Sequence, residues 1–205
     1  KIEHGWSLAP NQSVTKAGWL LANTPDLDGR DVCIGTIDSW VAWTLSGGEL
    51  HISDHTNASA TTNGLRLVDG SGWNQTICDA FGVPLSVLPD VVDSVGVCGH
   101  ASALPGAPPI AALLGDQQAS LIGQGCVKPG RAKITFGSGG MLDVCTDRPP
   151  PDGAMRHEAG TYPLPLWSID GRLTWGVEGI MLSAGTNVEW LVEDLDLIDT
   201  PASSH

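Results

Sequence analysis

Two short stretches of the sequence carry residue types that could act together on a phosphoryl group. The first is GDQQA at 115–119, where Asp116 and Gln117 follow the apolar run IAALL at 110–114 and precede a segment with helical spacing. The second is FGSGGM at 136–141, a glycine-rich turn between two apolar runs. Ligands of open α/β sheets collect at the carboxyl ends of strands, so the acid can face a cleft. Because glycines let backbone N–H groups approach phosphate oxygens, the two stretches together indicate phosphoryl transfer.

Each stretch also has a simpler interpretation. Asp116 could serve only as a helix N-cap, since Asp is among the preferred residues at that position. The glycines could form only a tight hairpin between two strands. Taken singly, each stretch is compatible with both interpretations.

The overall composition limits the classes of protein and partner. A chain of 205 residues is long enough for one large domain or two small ones, and 41% hydrophobic residues is typical of a globular fold. The 10 basic residues against 23 acidic ones give a net charge of -13, which would repel a nucleic-acid backbone or an anionic membrane. We therefore expect neither nucleic acid nor a membrane as a partner.

The cysteines and the apolar runs bear on the cellular compartment. The five cysteines are odd in number, widely separated and without a Cys-x-x-Cys pair, which predicts free thiols rather than a disulfide framework or a zinc site. No charged-then-apolar leader opens the sequence, and no apolar run approaches the length needed to cross a bilayer. These features predict a cytoplasmic protein.

Local patterns predict the elements that would position the two stretches. Helices are expected over 13–23, 37–45, 73–81 and about 180–195, single strands over 50–53 and 110–114, and paired strands over 132–136 with 141–145 and over 164–169 with 173–175. The change from a helical first part to a strand-rich second part predicts a domain boundary near 123–130. Asp116 and the glycine turn would then flank an interdomain cleft, a common place for a small-molecule site.

A second candidate site consists of His51, Asp54 and His55. Two histidines four residues apart share one face of a helix and could bind a metal ion there. The glycine turn before them and the alternation around Ile52 favour a strand, which separates their side chains. Because no further ligand set is visible in the sequence, we expect no metal site at this position.

The motifs resemble those of the FGGY family of carbohydrate kinases, most closely the branch that acts on glycerol. They occur in the family's order along nearly the whole chain, at 15–16, 19–21, 35–40, 56–59, 82–84, 88–89, 115–119, 123–124, 129–130, 132–133 and 136–139. The resemblance implies an α/β fold of the actin-like, ribonuclease H-like ATPase class, with two domains around a cleft, both incomplete here. It assigns 1–124 to the end of the N-terminal substrate domain and 125–205 to the first part of the C-terminal nucleotide domain.

The resemblance also implies a reaction, the ATP-dependent phosphorylation of a polyol or sugar hydroxyl with Mg²⁺. The leading expectation is conversion of glycerol to glycerol 3-phosphate. A kinase for another polyol or ketose, or a non-catalytic sugar-binding member, is the alternative, and the presence of Asp116 favours an enzyme. A small-molecule polyol or sugar is thus the expected partner, and a homo-oligomer is compatible with the resemblance. Phosphoryl transfer needs an oriented acceptor hydroxyl and charge compensation rather than covalent help from the protein.

Matched position by position, the resemblance gives each candidate residue a role. Asp116 would be the general base toward the attacking hydroxyl and would lie near the magnesium ion, directly or through water. Gln117 would hydrogen-bond the polyol. Ser138 and Gly139 match the turn that contacts the nucleotide phosphates, and Gly185 matches a nucleotide-contacting glycine on the turn at 183–185.

Three candidate positions depart from the family pattern. Asn11 stands where an aromatic residue is usual and Met141 where Phe is usual, which predicts a reshaped wall against the polyol. Glu189 stands where Gln near the nucleotide is usual, and it would place a negative charge beside an anionic ligand unless it is a solvated helix position. The family's first phosphate-binding hairpin and adenine-binding segment would lie before Lys1 and after His205, so we expect the 205-residue segment alone to be inactive.

Overall fold

The structure is a computed structural model that describes residues 13–27, 30–60, 72–146, 148 and 160–204. The helices in these ranges are α1 Ser13–Asn23, α2 Ile37–Leu45, α3 His55–Ala60, α4 Gln75–Phe81, α5 Asp116–Gly123 and α6 Gly185–Glu193. The strands are β1 Ile52–Asp54, β2 Asp90–Val92, β3 Val95–His100, β4 Pro109–Ala112, β5 Ala132–Phe136, β6 Gly140–Cys145, β7 Thr161–Ile169 and β8 Arg172–Met181. Helices and strands thus alternate in the first part, and strands dominate the second.

The larger sheet has six strands in the order β4-β3-β7-β8-β6-β5. Its strand pairs are antiparallel except for β3 and β7, which meet in parallel through one register pair, Val95 opposite Ile169. Strands β1 and β2 form a separate parallel pair, with Ile52 opposite Asp90. The two predicted strand pairs, β5 with β6 and β7 with β8, are therefore confirmed.

Local sequence signals account for several element ends. The side-chain oxygen of Asn74 accepts a hydrogen bond from the N–H of Ile77 at the start of α4, and Gly82 ends that helix with a left-handed φ of 65°. The turn between β7 and β8 places Asp170 at φ 50° and Gly171 at φ 71°, as a two-residue hairpin turn requires. The helices predicted over 13–23 and 37–45 are confirmed with the same bounds, and the one predicted over 73–81 is confirmed with its start at Gln75.

The predicted start of the last helix is wrong. Ile180 and Met181 belong to β8, where they lie opposite Met141 and Gly140 of β6. Helix α6 begins only at Gly185. The apolar residues around 180 fit a helical period by chance, and their pairing with β6 takes precedence over that local pattern.

Three apolar clusters join the elements. One lies between α1 and α4, one between α2, β1 and the β3–β4 pair, and the third packs α5 on the larger sheet. In the third cluster Leu121 of α5 is fully buried against Cys145, Leu164 and Leu166. Full burial of one Leu side chain contributes about 2 kcal/mol, so this contact fixes α5, and with it Asp116, on one face of the sheet.

Two further findings concern the cysteines and the helices. All five cysteines are free thiols, as predicted. Burial raises the pKa of the Cys78, Cys98 and Cys145 thiols, which keeps them protonated at neutral pH. None of the helices in the described ranges combines the length and the apolar character that crossing a membrane would require.

Candidate functional site

Asp116 is the first residue of α5, which follows β4 after a short connection. The N-cap of α5 is Gly115, so the interpretation of Asp116 as an N-cap does not hold. The Asp116 side chain is exposed, and its Oδ1 accepts a hydrogen bond of 2.7 Å from the backbone N–H of Gln117. The free N–H groups of the first helical turn favour a negative charge at this position. The turn thus presents the Asp116 carboxyl group to solvent.

A buried hydrogen-bond network holds this turn from behind. The hydroxyl of Thr56 accepts from the N–H of Gly115 at 2.8 Å and donates to Oδ1 of Asp54, also at 2.8 Å. Asp54 is fully buried and accepts further hydrogen bonds from the N–H groups of Thr56 and Asn57 and from the hydroxyl of Ser94. Because this buried carboxylate is surrounded by donors, the network is satisfied and rigid.

This network includes Asp54, one of the three candidate metal ligands His51, Asp54 and His55. Asp54 is occupied by its hydrogen-bond donors, and Nε2 of His51 lies 3.1 Å from the carbonyl oxygen of Ile34. No group of three or more His, Cys, Asp or Glu side chains that could hold a metal ion occurs in the part of the chain that the structure describes.

Gln117 faces strand β5. Its side-chain oxygen Oε1 accepts a hydrogen bond of 2.6 Å from Nζ of Lys133 and lies 3.4 Å from the hydroxyl of Thr135. Nζ of Lys133 also lies 3.3 Å from the backbone oxygen of Gln117. Met141 stands opposite Thr135 in the β5–β6 ladder, so its side chain leaves the sheet on the face that contacts Gln117. The structure therefore places Asp116, Gln117 and Met141 on one side of the sheet.

A row of charged residues crosses the sheet beside Gln117. Lys133 lies opposite Asp143, which lies opposite Glu178. Nζ of Lys133 is 3.1 Å from Oδ2 of Asp143, and both side chains are buried. This contact is an ion pair without the alignment of a hydrogen bond, since neither Asp143 oxygen accepts one from a described residue. Burial raises the pKa of Glu178 from 4.5 to about 7; the charge of Asp143 adds to the rise and that of Lys133 opposes it.

The glycine-rich turn at 137–139 connects β5 and β6 and packs on the start of α6. The N–H groups of Ala184 and Gly185 donate to the carbonyl oxygens of Ser138 and Gly137 at 2.8 and 2.9 Å, and the N–H and hydroxyl of Thr186 also donate to Ser138. A Cβ on Gly185 would lie 2.7 Å from the carbonyl oxygen of Gly137, so this approach requires glycine. The hairpin interpretation of the glycines therefore holds, and the turn also joins two of the predicted nucleotide-contacting segments.

The remaining candidate residues differ in how closely they join this turn. Gly139 is packed so that an added Cβ would lie 2.8 Å from the carbonyl oxygen of Met181. The Ser138 side chain is exposed, and its hydroxyl forms no hydrogen bond with any residue in the described ranges. Glu189 is exposed on α6, one turn after Gly185. Asn11 lies outside the described residues.

Four neighbours of the site were not predicted from the sequence: Lys133, Thr135, Asp143 and Glu178. Lys133 and Thr135 alternate with Ile134 and Phe136, and this alternation was a usable signal for a polar strand face. The two apolar residues are the exposed ones, at 52% and 74%, so the usual assignment of apolar side chains to the interior would have chosen the wrong face.

A protein-family model and several known proteins are similar to this chain. A family model described as "FGGY family of carbohydrate kinases, N-terminal domain" matches residues 2–123. The glycerol kinase of Alkalilimnicola ehrlichii is 39% identical over 200 residues, which cover 95% of this chain and 39% of that protein. The glycerol kinase of Halorhodospira halophila is 38% identical over 199 residues, with 94% and 38% covered. The chain thus spans about two fifths of the length of these relatives.

Solved structures of kinases are also similar to this chain. A Plasmodium falciparum glycerol kinase with ADP superposes with a TM-score of 0.76 at 28% identity, over 91% of this chain and 38% of that chain. A ligand-bound xylulose kinase from Lactobacillus acidophilus superposes with a TM-score of 0.73 at 18% identity, over 95% and 39%. The predicted α/β fold of the actin-like ATPase class is thereby confirmed.

Proposed function

The chain belongs to the FGGY family of carbohydrate kinases, and we propose that its protein transfers the terminal phosphoryl group of ATP to a polyol hydroxyl, with glycerol as the substrate. The names of the relatives above support glycerol over other acceptors. The observation that carries the proposal is the pair of the exposed Asp116 and the half-buried Gln117 at the start of α5, beside the hairpin whose glycine turn packs on α6. The product would be glycerol 3-phosphate.

Asp116 is proposed as the general base. Its carboxylate is exposed at a helix start, and one of its oxygens accepts only the N–H of Gln117. The other oxygen accepts no hydrogen bond from the described residues and is available to a substrate hydroxyl. A carboxylate within hydrogen-bond reach of the attacking hydroxyl accepts its proton as the bond to phosphorus forms, which contributes about 10²- to 10⁴-fold to the rate.

Asp116 is also a suitable neighbour for the magnesium ion that accompanies ATP. Mg²⁺ in phosphoryl-transfer sites is held by one or two carboxylates together with phosphate oxygens and water, and Asp116 is one exposed carboxylate with an available oxygen. When bound, the ion neutralises charge on the transferring phosphoryl oxygens. The role of Asp116 toward it, directly or through water, is part of the proposal.

Ser138, Gly139 and Gly185 are proposed as the nucleotide side of the site. The exposed Ser138 hydroxyl is available as a donor, and the two glycines keep the turn and the start of α6 free of side chains. A phosphate near the start of a helix is favoured by the helix dipole. Glu189 is proposed to lie near the nucleotide, where its charge would be unfavourable unless solvent screens it.

The choice of polyol depends on the residues that line its pocket. Met141 and Asn11 are proposed to line the polyol pocket, where both depart from the usual aromatic residues. A longer polyol or a ketose is therefore the alternative substrate, and a sugar-binding protein without turnover is the alternative function.

We further propose a domain boundary between 124 and 125, a cytoplasmic location consistent with the five free thiols, and no requirement for nucleic acid or a membrane.

The test is ATP consumption by the full-length protein with glycerol, longer polyols and ketoses. The proposal predicts that glycerol stimulates ATP consumption with the highest kcat/KM of the panel. Preference for another acceptor would replace the substrate and keep the reaction. If none of the acceptors stimulates ATP consumption while one of them binds, the sugar-binding alternative is correct.

A further inference from the structure

We propose that Lys133 is a positioning residue for the substrate site. It binds the side-chain oxygen of Gln117, so that the amide nitrogen, and not the oxygen, faces the substrate. This inference deepens the proposed function and rests on it. Lys133 reaches Gln117 from β5, the strand that also leads into the glycine-rich turn. It thereby connects the strand of the proposed nucleotide side to a proposed polyol-binding residue.

The chemistry of the lysine determines which end of the amide faces it. A lysine ammonium has three donors and no acceptor, so the amide atom 2.6 Å from Nζ has to be the oxygen Oε1. The hydroxyl of Thr135 lies 3.4 Å from the same oxygen, and Nζ makes a second contact with the Gln117 backbone oxygen. The amide nitrogen donates to no residue in the described ranges. It is therefore the group left for a ligand.

The lysine itself is held in place. Its side chain is fully buried, and Asp143 opposite it supplies the compensating carboxylate at 3.1 Å. A buried ammonium without such a partner would be strongly unfavourable, so Lys133 stays between Asp143 and Gln117. Charge-assisted hydrogen bonds are about twice as strong as neutral ones, so the bond from Lys133 keeps the Gln117 amide in one orientation.

The consequence is a division of roles between two neighbouring residues. Asp116 accepts hydrogen bonds, and Gln117 donates one. The substrate group that meets Gln117 must therefore carry an available lone pair, as a hydroxyl or a carbonyl oxygen does. A protonated amine at the same position has only donors and would be rejected, because the amide could not turn its oxygen toward it without losing Lys133.

The experiment is a double-mutant cycle on the full-length protein. Lys133→Met combined with Asp143→Leu removes both members of the buried ion pair, so that neither is left as a lone charge. With Gln117 present, this pair is expected to raise the KM for the polyol at least tenfold, with kcat and the KM for ATP within about threefold of wild type. In a Gln117→Ala background the same pair is expected to change the polyol KM by less than twofold. An equal rise in both backgrounds would overturn the inference.

A second readout does not depend on turnover. The side-chain amide resonance of Gln117, identified by its loss in Gln117→Ala, is expected to shift strongly in the Lys133→Met, Asp143→Leu variant. Thr135→Val, which removes only the 3.4 Å contact, is expected to shift it less. An unchanged resonance in the double variant would show that Lys133 does not hold the amide. If none of the acceptors stimulates ATP consumption by the wild-type protein and the resonance still shifts in the double variant, the contact stands, while the proposed function and the substrate role of Lys133 both fall.

Discussion

The hydroxyl of Thr56 accepts a hydrogen bond of 2.8 Å from the backbone N–H of Gly115, the residue immediately before Asp116. Thr56 belongs to α3, and its hydroxyl in turn donates to the buried carboxylate of Asp54 at the end of β1. The two-stranded β1–β2 sheet is therefore connected directly to the turn that presents the proposed base. Ser94, which donates to Asp54, also exchanges hydrogen bonds with Ser168 of β7 and extends the network into the larger sheet.

Thr56→Val is expected to weaken both the fold and the site. The change leaves the Gly115 N–H without its acceptor and removes one of the donors to the Asp54 carboxylate, at a cost of about 1–3 kcal/mol in the free energy of unfolding. Because the turn before Asp116 loses its anchor, kcat should fall by about tenfold or more. Thr56→Ser is the control, since it keeps the hydroxyl. Denaturant unfolding and steady-state kinetics of the full-length protein measure both effects, and a Val variant equal to wild type would contradict the network's role.

Gly185→Ala is expected to separate the glycine-rich turn from α6. The added Cβ would lie 2.7 Å from a backbone oxygen of Gly137, and backbone cannot swing aside as a flexible side chain can. We expect a loss of about 1–3 kcal/mol in stability from the overpacking. The KM for ATP should rise by about tenfold, equivalent to 1.4 kcal/mol of binding free energy, with a smaller effect on the polyol KM.

Gly123→Ala is the matched control for that substitution. Gly123 ends α5 in open space, where an added Cβ meets nothing within 4 Å. The control should retain both stability and the KM for ATP. If the two alanine variants behave alike, the contact between the turn and α6 is not important for the nucleotide.

Glu178→Gln is expected to remove a pH-dependent loss of stability. The folded-state pKa of about 7 lies above the ordinary 4.5, so between these values the folded state keeps a proton that the unfolded state releases. The stability contribution of Glu178 therefore falls as the pH rises from about 4.5 to 7. The charged groups facing it are Asp143 and Lys133, with Tyr162 opposite on β7.

The measurement is the free energy of unfolding at pH 5 and at pH 8. From pH 5 to pH 8, the free energy of unfolding of Glu178→Gln should rise by about 1 kcal/mol relative to that of wild type. This is less than the full linkage energy, because solvent screens the partly exposed charge. Glu193→Gln on the exposed side of α6 is the control and should follow wild type. The same pH dependence in wild type and in Glu178→Gln would show that burial of Glu178 has no energetic consequence.

Met141→Phe is expected to change the substrate preference. Met141 lies opposite Thr135 on the face that contacts Gln117, and a rigid ring there would narrow a pocket against the polyol carbons. The ratio of kcat/KM for glycerol to that for longer polyols should rise about tenfold, or 1.4 kcal/mol. Leu142→Phe places the same ring on the opposite face and should leave the ratio unchanged. A shift in both variants would point to a general disturbance of β6.

Local signals explain which elements could be predicted from the sequence. The Asn74 cap, the Gly82 end and the Asp170–Gly171 turn are read from a few neighbouring residues, and the helix and the strand pair that they bound were predicted, although β8 extends to Met181 rather than ending at Trp175. Helix α3 has little hydrophobic period and was not predicted. Its start depends on the buried Asp54 carboxylate, which accepts the N–H groups of Thr56 and Asn57, so the helix depends on a tertiary environment.

Pairing between distant residues explains what could not be predicted. The contact of Lys133 with Gln117 and the row that includes Asp143 and Glu178 follow from strand register, which a single sequence does not specify. Asp116 and the turn around Ser138 were found because their residue types and spacing are themselves distinctive. Their proposed roles are chemical inferences that the experiments above test.

The central claim is tested most directly by Asp116→Asn in the full-length protein. Asn keeps an oxygen that can accept the Gln117 N–H, so the fold should be unchanged, while the side chain no longer takes a proton. Asp79→Asn, at an exposed position of α4, is the matched control. We predict that glycerol-dependent ATP consumption falls by about 10²- to 10⁴-fold in kcat for Asp116→Asn alone. Wild-type turnover in that variant would contradict the assignment of Asp116 as the base and the account built on it.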